Sequence, residues 1–332
     1  MTACKAEFLA QHYKGRRRPL NHYIFGFADR MARLGSLAPA VTNALLAGPL
    51  TSPLVKRIAG IARERQLPRL APKSFQKTRE SSTTLAPDAG PSPAVLLWPD
   101  TWNNYYHPQT LAAAETVLGQ AGFRVQTPQG HICCGRPLYD FGLLSAARSY
   151  LARVLDRMAP QIDAGMPFIF LEPSCASVFK DELLDLFPNH SRAQRLSELV
   201  WLFADFLTAR APGFVSKFLN GAHVLVHGHC HHKAVFGGPA SEIALLREAG
   251  ATVDPIQAGC CGMAGPFGFE ADKFEVSKTI AAQGLLPAVE SAGATAIVVA
   301  DGFSCREQIG QLAHVRALHL AEVLAKGCRC RP

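Results

Sequence analysis

Two stretches of this chain repeat one another, and that repeat constrains the fold more than any other feature of the sequence. The first stretch contains AVLLWPDTWNN, FRVQTPQGHICCG and FIFLEPSCASVF, and the second contains HVLVHGHCHH, ATVDPIQAGCCG and AIVVADGFSCREQ. Each is typical of a strand, a loop, a helix, a strand, a Cys-Cys-Gly sequence, a helix, a strand and a cysteine. Short β-branched runs that alternate with longer helical patterns indicate βαβ units. The predicted fold class is therefore α/β, with two similar βαβ-type halves that each contain a small parallel sheet.

The segments around the repeat complete the predicted domain organisation. The start of the chain has helical patterns such as NHYIFGFADRMARL, and SSTTLAPDAGPSP has the Ser, Thr, Pro and Gly content of a linker. The predicted segments are a helical extension that docks on a partner (1–75), a linker (76–93), the first half (94–215), the second half (216–326) and a solvated tail with Cys328 and Cys330 (327–332).

The cysteines of each half follow directly after strands. The ends of parallel strands line one crevice in an open sheet, so the cysteines of one half should converge. The second half then offers four thiolates, and the first offers three because Thr101 is the counterpart of Cys230. Four is the usual number for an iron–sulfur cluster or a structural zinc, whereas the first site is one short unless His131 or an outside group completes it. The candidate metal ligands are Cys230, Cys260, Cys261 and Cys305 in the second half and, as the weaker set, Cys133, Cys134 and Cys175 in the first.

Histidines and charged residues accompany these cysteines. Strand alternation predicts that His229 and His231 share one side, opposite Cys230, as further metal ligands. The other interpretations are that they orient Cys230 or bond the backbone, or that one is an acid or base toward substrate. Glu172 and Asp301 are predicted to cap the next helix, with tuning of the site charge as the alternative. The basic residues expected to tune the cluster or bind a substrate carboxylate are Arg136, Lys180, Lys233 and Arg306.

The net charge and the N-terminal sequence indicate which partners and which cellular location to expect. The formal net charge is +8, and KGRRR (14–18) and KRIAGIARER (56–65) hold much of the excess, which favours an acidic partner or surface. No nucleic-acid-binding motif accompanies them, so no nucleic acid is expected. Without an apolar signal before the first charges, the chain is expected to be cytoplasmic, where clustered cysteines bind metal or do redox chemistry. Prolines interrupt the apolar stretch 34–55, so at most a peripheral position at the inner face of the membrane is expected.

An ordered set of motifs in this chain resembles a known family. The motifs are CCGRPLYDFG, EPSCASVFKDEL, HCHHKAV, GCCGMAGPFGFE and ADGFSCREQI. They resemble the cysteine-rich CCG domain of heterodisulfide reductase, of the iron–sulfur subunits of glycolate oxidase and anaerobic glycerol-3-phosphate dehydrogenase, and of lactate-utilisation proteins. The likeness covers most of residues 90–326. It is closer to the C-terminal portion of fused FAD and Fe–S oxidases that resemble D-lactate and D-2-hydroxyglutarate dehydrogenases.

The resemblance implies an electron-transfer module of a flavin-dependent 2-hydroxy acid dehydrogenase. In that scheme FAD lies on a partner, a ferredoxin-type 4Fe–4S segment belongs to the same system, and a quinone or other acceptor takes the electrons. The chain itself has no Gly-rich dinucleotide fingerprint, so it is expected to be a split-off subunit or a fragment, and we assign it no catalytic residue. The alternatives are a thiol/disulfide catalytic module similar to heterodisulfide reductase and a zinc-stabilised scaffold for the flavoprotein.

The sequence also departs from the full pattern of heterodisulfide reductase. In that pattern each half ends in CxxC, but Cys175 is followed by Ala-Ser-Val and Cys305 by Arg-Glu-Gln. Thr101 also replaces the upstream cysteine of the first half. A non-cubane cluster is therefore not expected. We expect an ordinary 4Fe–4S cluster, or zinc, in the second half.

Overall fold

The computed structural model describes residues 2–81 and 92–328. Its strands are β1 (Ala94–Leu97), β2 (Arg124–Gln126), β3 (Phe168–Phe170), β4 (Val200–Leu202), β5 (His223–Val226), β6 (Thr252–Pro255) and β7 (Ile297–Val299). Its helices are α1 (Thr2–His12), α2 (Leu20–Gly26), α3 (Ala28–Gly35), α4 (Pro39–Ala47), α5 (Thr51–Ala59), α6 (Phe75–Ser81), α7 (Thr101–Tyr105), α8 (Pro108–Gln120), α9 (Arg136–Asp140), α10 (Leu144–Arg157), α11 (Ala159–Asp163), α12 (Pro173–Ser177), α13 (Leu183–Leu186), α14 (Ser191–Leu199), α15 (Phe203–Arg210), α16 (Cys230–Val235), α17 (Ala240–Glu248), α18 (Phe274–Ala282), α19 (Leu285–Ser291), α20 (Phe303–Leu312) and α21 (Leu320–Cys328).

Two small parallel sheets confirm the predicted fold class. One sheet has the strand order β2-β1-β3-β4 and the other has the order β6-β5-β7. The central strands pair in matching registers, with Leu96 opposite Phe168 in the first sheet and Val224 opposite Ile297 in the second. Runs such as AVLL and HVLV are apolar without alternation because both faces of a parallel sheet are covered by helices.

The order of elements is the same in the two halves. β1, α7, α8, β2, β3 and α12 in the first half correspond to β5, α16, α17, β6, β7 and α20 in the second. The helix predicted between the first two strands of each half is α8 in the first half and α17 in the second. Helices α13 and α14 occur in the first half alone among the described residues. Beside β7, the position of β4 is taken by a single parallel bridge from Val299 to Leu318, and α21 follows this bridge as α15 follows β4.

The two halves share one hydrophobic core. Val95 and Leu97 of β1 belong to the same buried cluster as Val224 and Val226 of β5. Helix α21, at the end of the second half, packs against α8 of the first half and contributes buried side chains to that cluster. The Gln120 side chain of α8 also donates to the Cys328 carbonyl oxygen at 3.1 Å. The halves are therefore repeated in sequence but packed as one unit.

The N-terminal extension is built into this unit. Ala6 lies in the core of the first half, and Ile61 forms an antiparallel bridge with Glu270 of the second half. Arg65 is completely buried, and its Nε donates to the Gly268 carbonyl oxygen at 2.7 Å. Residues 2–75 therefore close both halves as well as presenting an outer surface.

The predicted linker and tail regions differ from a simple solvated chain. Helix α6 covers the first residues of the predicted linker, and residues 82–91 lie outside the described part of the chain. Cys328 is buried at the end of α21, so the prediction of a solvated position is wrong for this residue, because α21 continues the packing against α8. Cys330 lies outside the described residues.

The described helices are also too short or too polar to cross a bilayer, and none of them is a candidate membrane span.

Candidate metal centre

The four cysteines of the second half lie together at the strand ends. Cys230 opens α16 just after β5, Cys260 and Cys261 lie in the loop after β6, and Cys305 lies in the first turn of α20 after β7. The thiol groups form a continuous series of contacts, from Cys230 to Cys260, from Cys260 to Cys261 and from Cys261 to Cys305. The parallel sheet thus brings together four sulfurs that are up to 75 residues apart in the chain (230 to 305).

The Cys-Cys-Gly turn has a backbone that only glycine fits. Gly262 has φ +87°, in the left-handed region, and its N–H donates to the Cys260 sulfur at 3.3 Å. The N–H of Met263 donates to the Cys261 sulfur at 3.5 Å. A Cβ atom at Gly262 would lie 2.2 Å from the carbonyl oxygen of Ser277. The glycine therefore lets the turn place both sulfurs on one side and supply backbone N–H groups to them.

The pKa values of the four thiols are shifted in alternate directions along the series. The pKa of Cys260 is lowered because Cys230 donates a hydrogen bond to it, with help from contact with Cys261 and from the Gly262 N–H. The pKa of Cys305 is lowered because Cys261 donates to it and imidazole groups lie nearby. The pKa values of Cys230 and Cys261 are raised because these thiols donate to their neighbours and are buried. The arrangement therefore favours the thiolate form at Cys260 and Cys305 over Cys230 and Cys261.

His227 is a residue of this site that the sequence reasoning did not select. One of its ring nitrogens and the sulfurs of Cys261 and Cys305 lie within 4.8 Å of one another. The ring is 1% exposed and lies beside Cys305, whose pKa it helps to lower. In the repeat, the counterpart of His227 is Trp98, which packs between Phe170 and Phe179 in the first half. A histidine in place of a core tryptophan is the signal that could have identified it.

His229 and His231 share one side, as predicted, but they do not lie opposite Cys230. Their rings stack with centroids 5.3 Å apart, and their donor atoms lie within 4.8 Å of the Cys230 sulfur. The prediction is wrong on this point because α16 begins at Cys230 and ends the strand alternation. Burial and the neighbouring Arg136 lower the pKa of His231 to about 3. Its Nε2 lies 2.7 Å from Arg136 Nη2, and its Nδ1 faces the Cys230 sulfur at 3.7 Å.

The first half has the same turn with fewer sulfurs. The Cys134 sulfur lies 3.1 Å from that of Cys175, and Gly135, with φ +77°, donates its N–H to Cys133 at 3.4 Å. Thr101 occupies the place of Cys230, and its hydroxyl faces the Cys133 sulfur at 3.8 Å. The structure therefore agrees with Thr101 as the counterpart of Cys230.

The first-half thiols are held in their neutral form. Contact with Cys134 and burial raise the pKa of Cys133. The Cys134 hydrogen bond lowers the pKa of Cys175, but burial and the carboxylates of Asp100 and Glu172 outweigh it and raise that pKa to about 12. This half therefore favours thiolates less than the second half does, where two of the four pKa values are lowered.

His131 does not complete the first-half site. Its Nε2 lies 2.8 Å from the Asp29 carboxylate, and its Nδ1 lies 3.1 Å from the Tyr105 hydroxyl. Asp29 belongs to α3 of the N-terminal extension, which the repeat does not reveal. The suggestion that His131 supplies a fourth ligand is therefore wrong, because both ring nitrogens already have partners.

Glu172 joins the two halves. It caps α12, as predicted, by accepting from Ser174 N at 3.3 Å, and its other oxygen accepts from Phe303 N, at the start of α20, at 2.7 Å. Asp301 does not cap α20. Its carboxylate instead accepts from Leu320 N, at the start of α21, at 2.9 Å, because α21 folds back over the strand end.

Two of the four basic residues link the halves directly. Arg136 pairs with Glu182 and contacts His231 of the second half. Arg306 donates to the Asp301 carbonyl oxygen at 2.6 Å and to the Asn103 side chain of the first half at 3.0 Å.

The other two basic residues donate to backbone oxygens. The Lys180 ammonium donates to the Ser197 carbonyl oxygen at 3.1 Å, and that of Lys233 donates to the Ala258 carbonyl oxygen, in the loop before Cys260. Their role as cluster-tuning groups stays a prediction.

The donor set of the second half fits an iron–sulfur cluster or zinc. Four sulfurs lie in a series of contacts, backbone N–H groups point at two of them, and His227 adds a buried ring nitrogen close to Cys261 and Cys305. Thiolate and imidazole are the ligands that both kinds of site use. Within the described ranges, both groups of three or more mutually close donor atoms lie in this half.

Comparison with known proteins agrees with this geometry. A family model described as a cysteine-rich domain, CCG, matches residues 100–164 of the first half and 224–310 of the second.

The relatives are dehydrogenases or proteins of lactate use. The chain is 25% identical to D-2-hydroxyglutarate dehydrogenase of Pseudomonas putida over 96% of its own length and 31% of that protein. It is 26% identical to one of the subunits of anaerobic glycerol-3-phosphate dehydrogenase of Escherichia coli, over 95% of this chain and 78% of that relative. It is 27% identical to lactate utilization protein A of Bacillus velezensis, over 64% of this chain and 90% of that relative. The chain thus spans about a third of the length of the D-2-hydroxyglutarate dehydrogenases that it matches. The resemblance identified from the motifs is confirmed, because the cysteine-rich domain model matches a segment of each half.

Proposed function

We propose that this chain is an electron-transfer module that holds an iron–sulfur cluster of the 4Fe–4S type on Cys230, Cys260, Cys261 and Cys305. The observation that carries the proposal is the contact of four buried or half-buried sulfurs at the strand ends of the second half. When bound, such a cluster takes up and releases single electrons. A flavin takes two electrons from a 2-hydroxy acid, so a one-electron module links it to a quinone or another acceptor.

The surrounding residues have defined parts in this proposal. The N–H groups of Gly262 and Met263 stabilise negative charge on Cys260 and Cys261. His227 lies close enough to Cys261 and Cys305 to donate to a sulfur or to replace one as a ligand. Arg136 holds His231 in place beside Cys230. In this proposal the chain works in the cytoplasm, where its thiols stay reduced.

Metal analysis of two cysteine variants tests the cluster. Protein purified without oxygen should be brown and contain iron and acid-labile sulfide. Cys261→Ser should lose both, and Cys328→Ser, a buried cysteine at the far end of α21, should keep both. Colourless wild-type protein with zinc would overturn the proposal in favour of a scaffold. Thiol/disulfide turnover by wild type without any flavoprotein would favour a catalytic module instead.

The N-terminal extension is the proposed docking surface for an FAD-containing dehydrogenase. Of the twelve large apolar side chains exposed on the described residues, eleven lie between Phe8 and Ile58, and the remaining one is Val276. Basic residues such as Lys56 and Arg57 accompany them on α5, which favours an acidic rim on the partner. The D-2-hydroxyglutarate dehydrogenases that the chain matches are about three times as long, which supports a partner of that kind.

Surface substitutions test docking better than deletion, because residues 2–75 also contribute to the core. Leu50 and Leu54 are 89% and 59% exposed, and Val276 is 50% exposed outside the extension. Leu50→Ser with Leu54→Ser should abolish copurification of FAD and of 2-hydroxy acid:dye oxidoreductase activity from native cells. Val276→Ser should leave both unchanged. Equal recovery of FAD with all variants would overturn the docking surface while leaving the cluster proposal intact.

A further inference from the structure

A fully buried arginine of the N-terminal extension lies near the second cysteine pair. Arg65 belongs to a segment outside the repeat, and its side chain is completely buried in the second half. Backbone contacts fasten the extension there. Ala62 N donates to the Phe269 carbonyl oxygen at 2.8 Å, beside the bridge from Ile61 to Glu270. Arg65 follows directly after this pairing, so its position relative to the second half is fixed.

Four contacts hold the Arg65 guanidinium. Its Nε donates to the Gly268 carbonyl oxygen at 2.7 Å, and its Nη2 donates to the Ser277 hydroxyl at 3.1 Å. The guanidinium also lies 5.7 Å from the centre of the Phe269 ring and 4.8 Å from that of Phe274. Hydrogen bonds and aromatic faces together keep the positive charge at one place.

The loop that Arg65 holds leads directly to a cysteine sulfur. Gly268 N donates to the Met263 carbonyl oxygen at 2.8 Å, which closes a short loop after Cys261. Met263 N in turn donates to the Cys261 sulfur at 3.5 Å. The guanidinium of Arg65 is also close enough to Cys261 for a favourable electrostatic interaction. A change of charge at the cysteines is therefore felt at Arg65.

The charge of Arg65 lacks a carboxylate partner. It forms no ion pair among the described residues, and its Nη1 is buried there without a hydrogen-bonding partner. Burial lowers the pKa of Arg65, and negative charge at Cys261 and Glu307 opposes that change. A guanidinium stays charged in proteins, and an uncompensated buried charge is costly. A thiolate-bound cluster beside it supplies the compensating negative charge.

We propose that Arg65 is the counter-charge of the cluster on the second-half cysteines and raises its reduction potential. The inference rests on the proposed function, in which one electron at a time passes from the reduced flavin of the partner to the cluster without a bond forming or breaking. A cluster with four thiolate ligands is negative and gains a further negative charge on reduction. A fixed positive charge nearby therefore stabilises the reduced form more than the oxidised form.

Redox titration of the full chain, purified without oxygen, tests this inference. The visible absorbance of the cluster is followed against a potential set by mediators. Arg65→Gln removes the charge and should decrease the equilibrium constant for reduction by about tenfold or more, which lowers the midpoint potential by about 59 mV for a one-electron couple. Arg65→Lys keeps the charge and should lie closer to wild type than to Arg65→Gln.

Two further variants control for position and for packing. Arg63→Gln removes the same charge from an exposed position in the same segment and should leave the potential unchanged, because water and salt screen that charge. Arg65→Met keeps most of the length of the side chain without its charge. It should lower the potential as Arg65→Gln does, and it replaces Arg65→Gln if glutamine disturbs folding.

The possible results separate this inference from the proposed function. Iron-containing wild type with the same potential as both neutral variants would overturn the inference alone, as would equal shifts in Arg65→Lys and Arg65→Gln or an equal shift in Arg63→Gln. Loss of iron from Arg65→Lys and the neutral variants alike would overturn it in favour of a purely structural role. Retention of iron by Arg65→Lys alone would support a required charge. Wild-type protein without iron would overturn the proposed function and this inference together.

Discussion

Gly262→Ala should destabilise the protein much more than the equivalent change in the first half. Both Gly262 and Gly135 follow a cysteine pair and have positive φ, of +87° and +77°. A left-handed backbone costs an alanine about 1–2 kcal/mol at either position. The two positions differ in the room for a Cβ atom. At Gly262 an added Cβ would lie 2.2 Å from the Ser277 carbonyl oxygen, whereas at Gly135 the nearest atom would be 3.4 Å away.

The steric conflict adds a second contribution at Gly262 alone. Ser277 lies within α18, and its carbonyl oxygen already accepts from Gln308 at 3.3 Å, so it cannot move without disturbing both. Overpacking of this kind costs about 1–3 kcal/mol, which brings the expected loss for Gly262→Ala to about 3 kcal/mol. Gly135→Ala should lose about 1 kcal/mol. Urea unfolding of the metal-free proteins measures both, and equal losses would refute the role of the Ser277 oxygen.

Two further predictions concern neighbouring parts of the site. Gly302→Ala places a Cβ 2.2 Å from His229 Cδ2 and should lower the free energy of unfolding by about 1–3 kcal/mol. Gly310→Ala is the control in α20: its Cβ has no atom closer than 4.0 Å, so this variant should be neutral or more stable. Equal urea midpoints for the two variants would contradict this prediction. Burial and the nearby Glu172 raise the pKa of Asp100 from 3.8 to about 6. The folded state therefore binds this proton more tightly than the unfolded state does. Consequently, the free energy of unfolding should fall as the pH rises from about 4 to 6. Asp100→Asn keeps an oxygen for the cap of α7 but cannot titrate, so its stability should fall less over this range, and parallel curves for the two proteins would show that Asp100 is not the cause.

The sequence alone was sufficient to predict the features set by the repeat. The parallel sheets, the grouping of Cys260, Cys261 and Cys305 at strand ends, and the glycine after each cysteine pair all follow from local pattern and strand geometry. These features depend on residues within one βαβ unit, so no knowledge of long-range packing was needed.

The features that could not be predicted involve partners from distant parts of the chain. His131 binds Asp29, 102 residues away, and the Asp301 carboxylate binds the N–H of Leu320 rather than its own helix. Local patterns do not specify which distant segment covers a strand end. The unexpected partners therefore come from the N-terminal extension, which lies outside the repeat, and from α21, at the end of the second half.

The packing of α21 on α8 has a consequence for how this duplicated protein can change over time. A repeat whose last helix closes the other copy cannot be divided into two working pieces, because each piece would lose part of the common core. Recombination that exchanged one copy for a homologous copy would have to carry the terminal helix with it or leave α8 uncovered. The two copies must therefore fold together. Their cysteine sites can still diverge, as Thr101 in the place of one cysteine illustrates.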